Sequence, residues 1–238
     1  MRKYIKNPFK TLTKFEMILW ICSVIAVALS MLISPERDAI SIIASVIGVT
    51  ALIFLAKGQL IGQVLVIIFA TLYGIVSFRE RYYGEMITYM CMSAPMAFLS
   101  IFSWLKNPYG DSGEVRVNRL KPRTALITVI IDVCVTVAFY FILRALDTAS
   151  LIWSTISVAT SFLAASLTFL RSPYYALGYA VNDVVLIVLW VISSVTNPAS
   201  IAMVVCFGAF LFNDLYGFIS WRRMEDRQSK NKTAESAE

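Results

Sequence analysis

The 238-residue sequence contains no histidine. That absence excludes Ser-His-Asp and Cys-His catalysis, histidine-ligated metals and histidine proton relays. Cysteine is sparse. Cys22, Cys91, Cys134 and Cys206 all fall in apolar blocks, and none form a CxxC pair. The pattern supplies neither a disulfide framework nor a zinc motif, and the four read as buried single thiols. Charge is scarce as well: charged residues are 15% of the chain and hydrophobic residues 58%. A soluble domain has about 25% charged and about 45–50% apolar residues. The sequence holds no Walker A loop and no dinucleotide fingerprint, so no cofactor and no ATP hydrolysis are expected.

What is there comes in long apolar runs. A helix crossing a bilayer needs about 20 mostly apolar residues. Eight such runs are present: Phe15–Ile33, Ile40–Leu55, Gln59–Phe78, Glu85–Phe102, Thr124–Leu146, Ser150–Leu170, Tyr174–Ser194 and Ser200–Trp221. The expected fold class is an all-α polytopic membrane bundle with the lipid bilayer as its solvent. The first run follows a basic segment but is too long for a signal peptide and has no small-residue cleavage site after it, so it reads as a retained helix.

Lys and Arg set orientation. Seventeen of the 21 sit before the first span, in the 103–123 link, in the tail, or at Lys57 and Arg171. Arg37, Arg79, Arg81 and Arg144 fall on the other side. This distribution predicts a multi-pass protein with both termini in the cytoplasm. The net charge of +6 then reports cytoplasmic loops rather than a nucleic-acid partner.

A weak internal repeat accompanies the topology. Phe54-Leu55 before Lys57 resembles Phe169-Leu170 before Arg171, and Phe102-Ser103-Trp104 resembles Ile219-Ser220-Trp221. The spacings are 115 and 117 residues. They predict a three-one-three parallel repeat plus an extra N-terminal helix. The expected organisation is a basic N-terminus and extra helix over 1–39 and a core over 40–224. Within the core, repeat A spans 40–106, a connector helix 124–146 and repeat B 150–223. A charged, disordered tail is expected over 225–238.

Polar groups inside a span are costly and are functional candidates by default. At about 100° per residue, Tyr175, Tyr179, Asn182, Asp183, Leu186 and Trp190 share one stripe of the seventh span. Gln59, Gln63 and Tyr73 share a face of the third, Tyr89 and Pro95 lie in the fourth, and Asn213 and Asp214 lie in the eighth. Pro95 predicts a kink with a freed carbonyl. Each candidate also has a structural reading. Asn and Gln serve as interhelical glue worth about 0.6–2 kcal/mol, and Tyr82, Tyr83, Trp104 and Trp221 read as interfacial belt residues. Amides and phenols suit carboxamide and ribose hydroxyls, and Trp suits a flat cation. A phosphorylated ligand needs Arg clusters or helix N-termini, and no Lys or Arg lies at mid-depth.

The segments LAKGQLIGQVL, YGIVSFRERYYGEMITY, RSPYYALGYAVNDVVLIVLW and NDLYGFISW resemble the PnuC family of nicotinamide riboside transporters. The likeness spans about residues 40 to 224. It implies a seven-helix core like a fused pair of SWEET-type bundles, in a bacterial inner or plasma membrane. It also implies uptake of nicotinamide riboside by facilitated diffusion, a cytoplasmic riboside kinase as trap, and a homotrimer. By position it implies substrate contacts at Gln59, Gln63, Asn182 and Trp190, then Tyr73, Tyr89, Tyr179, Asp183, Asn213 and Asp214. Three other readings stay open at this point: a same-fold transporter of thiamine or another heteroaromatic vitamin, an intramembrane enzyme using its paired carboxylates, and a purely structural membrane subunit with no saturable ligand binding. No metal site is expected.

Overall fold

The computed structural model describes residues 8–34, 39–79, 83–110, 112–148 and 150–235. The Pro35–Asp38 link with Arg37, the residues Arg2, Lys3, Lys6, Arg81 and Tyr82, the Tyr83 side chain and the last three residues lie outside that description.

All regular structure among the described residues is helical. The helices are α1 (Lys14–Ile33), α2 (Ala39–Ala56), α3 (Leu60–Arg79), α4 (Tyr83–Ile87), α5 (Ala94–Leu105), α6 (Pro122–Ala145), α7 (Leu151–Phe169), α8 (Tyr175–Ser194) and α9 (Ile201–Glu235). A π-helical segment, Thr88–Ser93, joins α4 to α5. Eight apolar stretches are long enough to cross a membrane, with α4, the π segment and α5 together making the fourth. Helices answer the bilayer's demand that every backbone polar group be satisfied internally. The π turns sit directly before Pro95, which lies in the first turn of α5. A widened turn is how this helix accommodates the missing proline N–H.

Helix packing recurs along the chain. In the first half α2 packs on α3, α3 on α5, and α2 on α9; in the second α7 packs on α8, α8 on α9, and α7 on α5. Helix α1 lies against α2 and α9, and α6 lies against α7. A capping box starts α1: Thr13 N donates to Glu16 Oε2 at 2.6 Å, and Glu16 N to Thr13 Oγ1 at 3.3 Å. The same Glu16 carboxylate is 2% exposed and also accepts Tyr216 Oη at 2.7 Å and Lys57 Nζ at 3.3 Å. The extra helix is thereby tied to α9 and to the α2–α3 turn.

The basic end of the bundle is closed by a reciprocal clasp. Ser103 Oγ donates to Phe169 O at 2.7 Å, and Trp104 Nε1 to Thr168 O at 3.1 Å. From the other half, Ser220 Oγ donates to Ala56 O at 2.7 Å, and Trp221 Nε1 to Leu55 O at 2.8 Å. The two indoles pack 5.6 Å apart. Trp104 and Trp221 are therefore core residues and not members of an interfacial belt. Their N–H groups reach carbonyls in the last turns of α7 and α2, Thr168 O and Leu55 O, which also accept Arg171 N and Gly58 N from the turns that follow.

The link after α5 runs across this end as a strap. Val115 N donates to Gly58 O at 3.0 Å, and Asn118 N to Arg171 O at 2.9 Å. Gly58 and Arg171 each turn the chain with positive φ, +64° and +58°. Glycine takes that conformation freely, while Arg171 bears a cost of roughly 1–2 kcal/mol. The tail departs from the disorder expected over 225–238: α9 continues as helix to Glu235. The reason is that the strap covers it. Gln228 accepts Val117 N at 2.9 Å and donates to Val115 O at 3.1 Å. Arg119 pairs with the buried Glu225 at 2.6 Å, and Arg227 pairs with Glu114. The cysteines also differ from expectation. Cys206 is buried, but Cys22, Cys91 and Cys134 lie on the outer surface of the bundle.

Candidate functional site

A cavity of about 130 Å³ lies between the two halves. Its walls come from α2, α3, α4, the π segment, α5, the end of α6, α7, α8 and α9. Six of the residues singled out in the sequence line it: Gln63, Tyr89, Tyr179, Asn182, Asp183 and Asp214. Around them stand Ser93, Ser157, Ser161, Thr148 and Thr168, with Phe69, Phe207 and Phe210 as aromatic walls. No Lys or Arg lines the cavity among the described residues.

Local structure explains the polar face. Asn182 and Asp183 sit mid-way along α8, on the side turned to α7 and α9. Thr160 Oγ1 donates to Asn182 Oδ1 at 2.8 Å, and Ser157 Oγ does so at 3.3 Å. These bonds hold the amide carbonyl against α7 and leave its NH₂ as the donor end. The Asp183 and Asp214 carboxyls are neighbours across the α8–α9 interface, and both lie on the cavity wall.

Three polar atoms on the cavity wall are buried with no hydrogen-bond partner among the described residues: Gln63 Nε2, Asp183 Oδ2 and Thr148 Oγ1. An orphaned buried polar group costs about 1–3 kcal/mol. Gln63 is 2% and Asp183 3% exposed, so bulk water does not satisfy them. A donor, an acceptor and a hydroxyl that does both are set ready for a polar ligand.

The other four candidates lie elsewhere. Gln59 is in the turn before α3, where its Nε2 donates to Thr11 Oγ1 at 2.8 Å, outside the membrane cavity. Asn213 turns to the extra helix and donates to Ser23 Oγ at 2.8 Å. Tyr73 and Trp190 border a second chamber of about 110 Å³ at the opposite end from the strap. The rings of Phe69, Tyr73 and Tyr89 pack between the two spaces, with Tyr73 and Tyr89 centroids 4.5 Å apart. One residue absent from the sequence-derived set belongs to both chambers. Glu85 lines each of them and accepts Tyr73 Oη at 2.9 Å. Its signal was a lone carboxyl at the head of an apolar run. Such a residue reads as a span boundary until the partner helix is seen.

Comparison with known proteins agrees with this architecture. The nicotinamide mononucleotide transporter family model matches residues 38–223. A nicotinamide riboside transporter PnuC of Neisseria mucosa is 26% identical over 223 residues, covering 91% of this chain and 84% of that protein. One from Haemophilus influenzae is 24% identical over 225 residues, covering 94% and 96%. The fold superposes on the crystal structure of the vitamin B3 transporter PnuC with a TM-score of 0.79 and 24% identity, over 95% of this chain and 97% of that one. A bundle of eight membrane-length helices, matched by the transporter family's model over nearly its whole core, is a multi-pass membrane transporter and not an enzyme. The chain belongs to the nicotinamide mononucleotide transporter family, that of the PnuC proteins.

Proposed function

We propose that this chain carries nicotinamide riboside across a bacterial inner membrane. The observation that carries this reading is the central cavity's chemistry. It offers unpartnered amide, hydroxyl and carboxyl groups, aromatic walls and three acidic side chains, with no described basic residue. A riboside has a carboxamide, ribose hydroxyls and a cationic ring, and each meets its complement there. A mononucleotide adds a phosphate, which needs cations that the described lining lacks. The names of the matched relatives support the same ligand.

In this reading Gln63 and the NH₂ of Asn182 bind the carboxamide or the ribose. Asp183 and Asp214 face the pyridinium charge, and Tyr89 and Tyr179 supply ring faces. Transport is facilitated diffusion by alternating access around the cavity. The clasp bonds of Trp104 and Trp221 part when the basic end opens. In this reading that end, with both termini, faces the cytoplasm, and the excess of Lys and Arg there supports this orientation. There a riboside kinase traps the substrate as its phosphate. The working unit is a homotrimer, by likeness to the family.

The test is uptake of labelled nicotinamide riboside into proteoliposomes, with and without an entrapped riboside kinase and ATP, with thiamine as competitor. The expected result is equilibration without the kinase, accumulation with it, and indifference to thiamine. Absent riboside flux with displaceable thiamine binding moves the substrate to thiamine. Accumulation without kinase, driven by an imposed ion gradient, overturns facilitated diffusion.

A further inference from the structure

The second chamber is more than an access space. Its described lining joins the ends of α1, α3 and α8 with the start of α2 and the α8–α9 link. Two buried aromatic side chains, Tyr73 and Trp190, stand in its wall beside the hydroxyls of Ser45, Ser77 and Ser200. Its floor is the Phe69–Tyr73–Tyr89 ring layer that separates it from the central cavity. Among the described residues only Glu85 borders both spaces, and no Lys or Arg lines either.

Aromatic faces, one carboxyl and neutral hydroxyls, with no Lys or Arg among the described lining residues, make a site for a flat organic cation bearing polar substituents. We propose that this chamber is an entry station, where an aromatic cation binds against Trp190, Tyr73 and Glu85 before it passes to the central cavity. The inference rests on the riboside reading of the central cavity and adds a second binding place to it. Glu85 has a distinct role there. Held by the Tyr73 hydroxyl at 2.9 Å, it lies in the partition itself and can face the cation from either side. The carboxyls then form a trail from Glu85 to Asp183 and Asp214, so the charge meets an acidic partner at each stage.

The test compares two forms of one ligand in intact cells producing the full chain and lacking their own riboside uptake. Nicotinamide riboside is a cation, and its 1,4-dihydro form is neutral with nearly the same shape. Glu85→Gln and Trp190→Ala should each raise the KM for the cation roughly 3- to 30-fold, the span of cation–π and related contacts. Glu85→Gln removes only a charge and should raise the KM of the neutral dihydro form several-fold less than that of the cation; Trp190→Ala removes a ring face from both forms and should weaken the cation more, by its cation–π share. Glu85→Asp should recover most of the cation's KM. Membrane abundance checks that each variant is folded and inserted. Equal losses for both forms in a variant at normal membrane abundance, or no change for either, overturn the station. Wild-type protein that takes both forms with the same KM also overturns it, with no variant needed. Wild type that takes up neither form refutes the riboside reading itself, a result distinct from the others.

Discussion

The two ends of the bundle are closed by different means. At the basic end, Trp104 and Trp221 are buried, and each donates its indole N–H to a backbone carbonyl of the other half. The strap and the α9 tail lie over them, joined by Gln228, Glu225 and Arg119. At the opposite end the partition is a set of packed rings with the Tyr73–Glu85 bond among them. Ring pairs contribute about 0.5–1.5 kcal/mol beyond their burial. A buried indole with a backbone bond contributes several times that when packing is counted. Separating the halves is therefore harder at the basic end than across the ring layer at the opposite end.

The largest expected effect breaks the stronger closure. Trp221→Ala removes a fully buried indole and its bond to Leu55 O, and should lower stability by about 3–5 kcal/mol, read from thermal unfolding in detergent. Trp221→Phe keeps most of the packing and should cost about 1 kcal/mol. A large loss in both variants, or none in either, removes the asymmetry between the ends.

Next comes the cavity between them. Asp183→Asn replaces one carboxyl oxygen on the cavity wall by an amide N–H donor and removes the side chain's capacity for negative charge. It should weaken riboside binding by about 1.5–3 kcal/mol in isothermal titration. Gln63→Leu removes a neutral donor and should weaken it by about 0.5–1.5 kcal/mol. Unchanged affinity in both variants puts the ligand elsewhere. The smallest effect is expected at Gln59, whose bond to Thr11 lies outside both chambers. Gln59→Ala should change riboside affinity by less than about 0.5 kcal/mol. A tenfold loss there would return this residue to the binding site.

Much of this was legible in the sequence, and the failures are local. The eight spans follow from apolar runs, because the bilayer's thickness fixes their length. The Asn182–Asp183 stripe is readable because a helix repeats every 3.6 residues. Trp190 shares that stripe but stands eight residues on, about 12 Å along the axis, and so enters another chamber. Gln59 has the right spacing from Gln63 but precedes the first residue of α3. Asn213 and its neighbour Asp214 face different partners, and only the docking of α1 shows which turns to Ser23 and which to the cavity. The tail's helix rests on burial of Glu225 and Gln228 under a strap contributed from more than a hundred residues away.

The sequence by itself determined that this chain lives in a membrane, how often it crosses, and that amide and carboxyl side chains lie inside its spans. Those are consequences of transfer free energy and helical period, which act locally. The tertiary structure alone decided which polar groups converge on one cavity, that two tryptophans clasp the halves, and that Glu85 stands between two chambers. Those depend on the depth and rotation of each helix against its neighbours. Packing sets them, and no single helix records its partner's position.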